Sequence, residues 1–197
     1  ALRQPLEDGF ITVSRAAGSV SYPARFMLVA AMNPCPCGNY GSRIKECKCT
    51  PSQISRYLSR ISGPLLDRID IQIEAEEVTY SQIRQEQEEE SSQSIKRRVC
   101  AAREIQSRRF EGSVCHANSQ MSSAQMNKFC VLSPQAERLL KNAFNTLKLS
   151  ARAYTRVLKL ARTIADLGAS ERIEDMHVAE AVQYRNLDRK YWQGGGN

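Results

Sequence analysis

Four of the seven cysteines fall in two tight pairs, Cys35-x-Cys37 and Cys47-x-Cys49, separated by a short polar stretch. An odd cysteine count with such pairs suits a reducing compartment and a metal site better than a disulfide framework. Four thiolates offer Zn²⁺ a complete tetrahedral set with no open position, so the metal role read from them is structural rather than catalytic. Cys-x-Cys is tighter than the commoner Cys-x₂-Cys knuckle, and four reduced, metal-free thiols are the alternative. Cys100, Cys115 and Cys130 read as small buried residues. His116 and His177 form no triad or metal set, which leaves them solvated or packing roles. The sequence contains no Gly-x₄-Gly-Lys-Ser/Thr loop to cradle phosphates, and no apolar strand ending in paired acids to hold Mg²⁺.

The cysteines lie between segments of clear pattern. Phe10 to Ser14 and Ser19 to Tyr22 alternate around Arg15-Ala16-Ala17-Gly18, the pattern of a β-hairpin with Arg15 near its tip. Phe26 to Met32 is apolar on both faces and predicts a central strand ending at Asn33-Pro34. After the loop, Thr50-Pro51-Ser52-Gln53 carries a capping-box signal and a helix with Ile54, Tyr57, Leu58 and Ile61 on one face. Beyond Gly63-Pro64, Leu65-Leu66-Asp67-Arg68 leads into the alternating isoleucines Ile69, Ile71 and Ile73, read as another strand.

From Val78 onward strand signals vanish. The acidic run Glu86 to Glu90 reads as a solvated linker or frayed helix start, and a helical domain follows. Its stripes are Ile95, Val99, Ala102 and Ile105; then Ala136, Leu139, Leu140, Ala143, Phe144 and Leu147 behind Ser133-Pro134; then Tyr154, Val157, Leu158, Ala161, Ile164 and Ala165 between Ser150 and Gly168. Val178, Ala181 and Val182 support a short last helix. The reading is an α/β part over 1–78 with a cysteine-rich loop over 34–50, an all-α domain over 79–190 and a disordered tail over 191–197.

A formal charge of +7 over 197 residues favours an acidic partner such as nucleic acid. No apolar stretch approaches the roughly 20 residues of a membrane span, and the N-terminus lacks the basic start and apolar middle of a secretory signal. A cytoplasmic protein with no membrane partner is expected.

The run Ala30-Ala31-Met32-Asn33-Pro34-Cys35-Pro36-Cys37-Gly38, then Cys47-Lys48-Cys49, then Tyr57 through Ile71, resembles magnesium-chelatase-like AAA+ ATPases of the YifB and ComM type. Ser150-Ala151-Arg152-Ala153-Tyr154 through Leu167 extends the resemblance over nearly the whole chain. It implies the C-terminal part of an AAA+ P-loop core, with pre-sensor hairpin, sensor 1 strand and last core strand, followed by a helical lid. It also implies ATP and Mg²⁺ held mainly by upstream segments, so that these residues alone are not expected to hydrolyse ATP.

Residue by residue, the resemblance makes Asn33 the sensor 1 amide that orients attacking water, where its own context reads only as a turn before Pro34. Arg68 matches the arginine finger presented to a neighbouring subunit's nucleotide; otherwise Asp67-Arg68 is a surface ion pair. Arg152 matches the sensor 2 arginine of the lid, with Arg156 and Arg162 as competitors or a plain basic face as the alternative. Arg15 corresponds to a hairpin that faces a ring's central pore and grips phosphate, a protein substrate, or only solvent. A hexameric ring working on DNA, with helicase-like remodelling, is the implied function. The alternatives are a motor for a protein client, as in magnesium chelatase, and a zinc-stabilised basic nucleic-acid-binding module.

Overall fold

In a computed structural model, the structure describes residues 2–16, 18–75, 77, 78, 80, 84 and 90–185. Most of the acidic run and the glycine-rich tail lie outside the described residues. The chain divides into two compact units that meet between Glu77 and Val78.

The first unit opens with α1 (Arg3–Asp8), which ends at Gly9 in the left-handed region, φ +72°. A Cβ there would also crowd the Arg25 side chain, at 3.0 Å from its Cγ. The hairpin then forms from β1 (Phe10–Arg15) and β2 (Gly18–Pro23), paired in register from Phe10 with Pro23 to Arg15 with Gly18. Strict alternation separates its faces. Ile11, Val13, Val20 and Tyr22 share one, and on the other Thr12 bonds Ser21 at 3.0 Å and Ser14 bonds Ser19 at 2.8 Å. Arg15 is exposed at the hairpin's end.

Two expected strands do not form. Neither Phe26–Met32 nor Ile69–Ile73 takes part in a sheet, and Met27, Val29 and Ile73 are 87%, 82% and 72% exposed. A strand that is apolar on both faces needs neighbours at both edges and cover above and below. No described segment supplies either. The helices around them are specified locally. For α2 (Pro51–Leu58), Gln53 N–H donates to Thr50 Oγ1 at 3.3 Å while Thr50 N–H donates to Gln53 Oε1 at 2.9 Å, and Pro51 starts the helix. The single turn α3 (Gly63–Leu66) follows, burying Leu66.

The second unit is helical: α4 (Ser92–Arg109), a 3₁₀ turn (Asn118–Gln120), α5 (Ser123–Phe129), α6 (Pro134–Leu147), α7 (Ala151–Leu167) and α8 (Asp175–Gln183). Serines 91, 122, 133 and 150 each accept a backbone N–H at a helix start, worth about 1 kcal/mol apiece. Helix α7 is the centre of the core. Its Val157, Leu158, Ala161 and Ala165 pack with Ala136 and Leu140 of α6, Val178 and Ala181 of α8, and Phe110, Cys115, Met121, Cys130 and Ile173. A parallel bridge between Leu132 and Ile173 closes the α5–α6 junction onto the α7–α8 connection.

The expected stripes are buried where α7 reaches them and exposed elsewhere. Ala102 is buried, whereas Ile95 and Val99 toward the start of α4 are 44% and 47% exposed. Cys115 and Cys130 are buried as read, but Cys100 is exposed because it lies off the face that meets α7. His177 packs at 7% exposure, its Nδ1 accepting from Glu174 N–H at 3.0 Å, and His116 is solvated.

Candidate functional site

The cysteine loop is built from turns. Pro36 occupies the second position of a turn closed by Gly38 N–H donating to Cys35 O at 3.0 Å, and Gly38 follows at φ +83°. A second turn runs from Asn39 to Ser42, whose hydroxyl accepts from Ile44 and Lys45 N–H and donates to the Glu77 carboxylate at 2.8 Å. Cys49 directly precedes the capping box of α2, so the loop's far end is anchored by a helix start.

These turns bring all four cysteines together. Their sulfurs lie within 4.8 Å of one another, with Cys35–Cys37 at 3.4 Å, Cys37–Cys47 at 3.6 Å and Cys35–Cys47 at 3.7 Å. The separations are too long for disulfides, and all seven cysteines are free. A tetrahedral ion with Zn–S bonds of about 2.3 Å requires S···S edges of about 3.8 Å. The quartet therefore matches a zinc–thiolate cage to within a few tenths of an ångström at the three measured edges. An all-sulfur donor set selects Zn²⁺ over Mg²⁺ or Ca²⁺, which need oxygen.

Electrostatics agree with the geometry. Cys37 is drawn down to about 6, first by the Asn39 backbone N–H and then by that of Lys48. Cys49 is pushed up to about 12 by desolvation, with the Cys37 and Cys35 thiols adding to the rise. Cys37 ionises readily while Cys49 resists, chiefly through desolvation and secondarily through the neighbouring sulfurs, so the set does not ionise together. A divalent ion at their centre removes that conflict.

The remaining candidates are distributed. Asn33 is exposed, two residues before Cys35, and its amide lies beside Gly38, where a Cβ would stand 3.9 Å from Asn33 Cγ and Nδ2. Arg68 has only 8% of its side chain accessible and donates to the Glu7 carboxylate and, at 2.5 Å, to Pro64 O. Arg152 is exposed in the first turn of α7, in the other unit. Of its competitors, Arg156 is half-buried and Arg162 is enclosed, at 1% exposure.

Arg162 belongs to a polar network that only its Asp166 partner, four residues on, foreshadows. Arg109 grips Asp166 with two hydrogen bonds of 2.6 and 2.5 Å, and Arg162 Nε adds a third at 3.1 Å. Asn118 donates to Asp166 at 2.7 Å and accepts from Arg109 at 2.8 Å. Arg162 also donates to the carbonyls of Ser170 and Glu171. Burial lowers its pKa and the Asp166 charge opposes the drop. With its donors committed to α7 and the following turn, Arg162 is structural.

Among the described residues, no helix is long and apolar enough to cross a membrane. Residues 1–83 match the family magnesium chelatase, subunit ChlI, and residues 89–185 match magnesium chelatase, subunit ChlI C-terminal. The chain is 43% identical over 190 residues to the uncharacterized protein YifB of Salmonella typhimurium and, equally, to the competence protein ComM of Haemophilus influenzae. An uncharacterized protein of Mycobacterium tuberculosis is 35% identical over 185 residues. Each alignment covers at least 94% of this chain but 36% of the relative's length.

Proposed function

The chain belongs to the magnesium-chelatase-like family in its YifB and ComM branch, and from that premise we propose that it is the nucleotide-responding part of a ring-forming AAA+ ATPase that works on DNA. The observation that carries this reading is the 43% identity to a competence protein over 96% of the chain, including the segments around Asn33, Arg68 and Arg152. The protein's +7 charge favours the same partner.

The roles follow from chemistry. Asn33 presents an uncharged amide able to orient attacking water at the γ-phosphate, a positioning task. Arg68 carries a permanently charged, planar fork suited to spreading phosphate charge across a subunit boundary, in a hexameric ring. Reaching a neighbour requires its guanidinium to leave Glu7. Arg152 couples nucleotide state to the helical lid, a role its exposure in the first turn of α7 supports. Arg15 at the hairpin end contacts phosphate without reading sequence. Mg²⁺ bound with ATP neutralises phosphate charge; its ligands and the phosphate-cradling loop are not among these residues. Zn²⁺ on the four cysteines is structural.

The test is ATP hydrolysis by the full-length protein with and without single-stranded and branched DNA. Stimulation by DNA, lost in Arg15→Ala, is expected. Absence of both stimulation and DNA binding at physiological salt refutes the DNA assignment, and wild-type hydrolysis by Arg68→Ala refutes the finger.

A further inference from the structure

A structural zinc site is equally serviceable on any loop, but this one starts two residues after Asn33 and returns beneath it. Cys35 is wholly buried, with 0% exposure, and anchors a turn whose last residue, Gly38, faces the Asn33 amide closely enough that an added Cβ would stand 3.9 Å from it. Gly38 carries no side chain and is held at φ +83°, where most other residues are strained. The turn is closed on the backbone by the Gly38 N–H to Cys35 O bond. It is also tied through the sulfurs of Cys35 and Cys37, which meet Cys47 at 3.7 and 3.6 Å, and through the Lys48 N–H bond to Cys37. Cys47 and Cys49 in turn lead into the capped start of α2. An ion at the centre of the quartet therefore ties the turn under Asn33 to a helix terminus.

We propose that the metal–thiolate centre is a positioning device for Asn33. Ion binding draws the four sulfurs to one point and fixes the 35–38 turn, and with it the backbone that carries the Asn33 amide two residues before Cys35. Without the ion, no bond holds the four sulfurs at one point and the amide loses its register. This rests on Asn33 acting on the nucleotide, as proposed above. A misplacement on the order of 1 Å in a positioning group is enough for a roughly hundredfold loss of rate.

The experiment is a double-mutant cycle in the full-length protein, with ATP KM, kcat and zinc per chain measured for wild type, Asn33→Ala, Cys47→Ser and the double variant. Wild type and Asn33→Ala carry one zinc, and the Cys47→Ser proteins carry less. Cys47→Ser lowers kcat roughly tenfold to hundredfold with KM for ATP within about twofold, because positioning rather than binding is lost. In the Asn33→Ala background the same substitution costs less than about twofold, since the group it positions is gone. Multiplying losses overturn the coupling while leaving Asn33 its role. An Asn33→Ala protein with wild-type kcat overturns both. Should Cys47→Ser not fold, zinc is withdrawn from folded wild type and Asn33→Ala with a chelator and then restored. A reversible fall in kcat confined to wild type supports the proposal, and equal falls in both, or none, overturn it. Binding of a fluorescent ATP analogue unchanged by zinc removal separates this role from collapse of the unit, and lost binding counts against it.

Discussion

Replacing Asp166 by Asn removes the one carboxylate that faces two guanidinium groups inside the helical unit. Side-chain exposure is 0% for Asp166, 1% for Arg162 and 12% for Arg109, so water screens the pair poorly. The carboxylate accepts from both Arg109 terminal nitrogens, from Arg162 Nε and from Asn118 Nδ2. Asparagine keeps the shape but turns one oxygen into a donor facing donors, and leaves two buried positive charges without compensation. Removing one partner of a buried pair costs about 3–5 kcal/mol. Against a typical total of about 5–15 kcal/mol, that is about a fifth of the stability or more. Urea unfolding followed by far-ultraviolet circular dichroism, comparing midpoints at constant slope, measures it. Simultaneous replacement of Arg109, Arg162 and Asp166 by apolar residues of similar volume is expected to recover much of the loss, since the charges then vanish together. A loss below about 1 kcal/mol for Asp166→Asn refutes the argument, because it places the three groups in a solvated environment.

Three further outcomes test other parts of the structure. Burial raises the Cys130 thiol from 9.0 to about 11, so the stabilisation it contributes is complete below about pH 9 and is lost as pH rises toward 11. Under reducing conditions Cys130→Ala flattens that part of the stability profile relative to wild type, and an unchanged slope refutes the assignment. Arg162→Ala unfolds or severely destabilises the helical unit, whereas Arg152→Ala leaves the melting temperature of the full-length protein within a few degrees and lowers its ATPase by about tenfold or more. Glu7→Gln weakens the hold on Arg68 and raises full-length ATPase by about two- to fivefold, the factor an ion pair of up to about 1 kcal/mol allows; a fall in rate instead shows that Glu7 supports Arg68 in its working position.

How much was legible depended on how local the cause is. Thr50-Pro51-Ser52-Gln53, Ser133-Pro134 and Ser150 announce helix starts because each capping bond spans three residues. The Cys-x-Cys pairs announce their cluster because two short spacings already fix half of the donor geometry. Phe26–Met32 and Ile69–Ile73 carry equally clear patterns, yet form no strand. Periodicity states which faces must be covered, while a ladder depends on a neighbour the segment does not encode. Glu7 with Arg68 and Arg109 with Asp166 were invisible for the same reason, being 61 and 57 residues apart.

The arginines of α7 show where pattern and structure must be combined. Arg152 and Arg162 share one basic, amphipathic helix, and spacing alone leaves both as nucleotide sensors. At about 100° per residue, ten positions set them roughly 80° apart around the axis. That rotation turns Arg162 toward the side of Ala161, Ala165 and Asp166, all buried, and leaves Arg152 exposed in the first turn. A buried guanidinium with its donors committed to a carboxylate and two backbone carbonyls cannot follow a phosphate without unfolding the turn around Ser170. An exposed guanidinium at the start of the same helix moves with it as a rigid body. On the proposed reading the helix thus separates two jobs that one residue cannot do together: Arg162 holds the core of the helical unit closed, and Arg152 is the arginine proposed to answer the nucleotide.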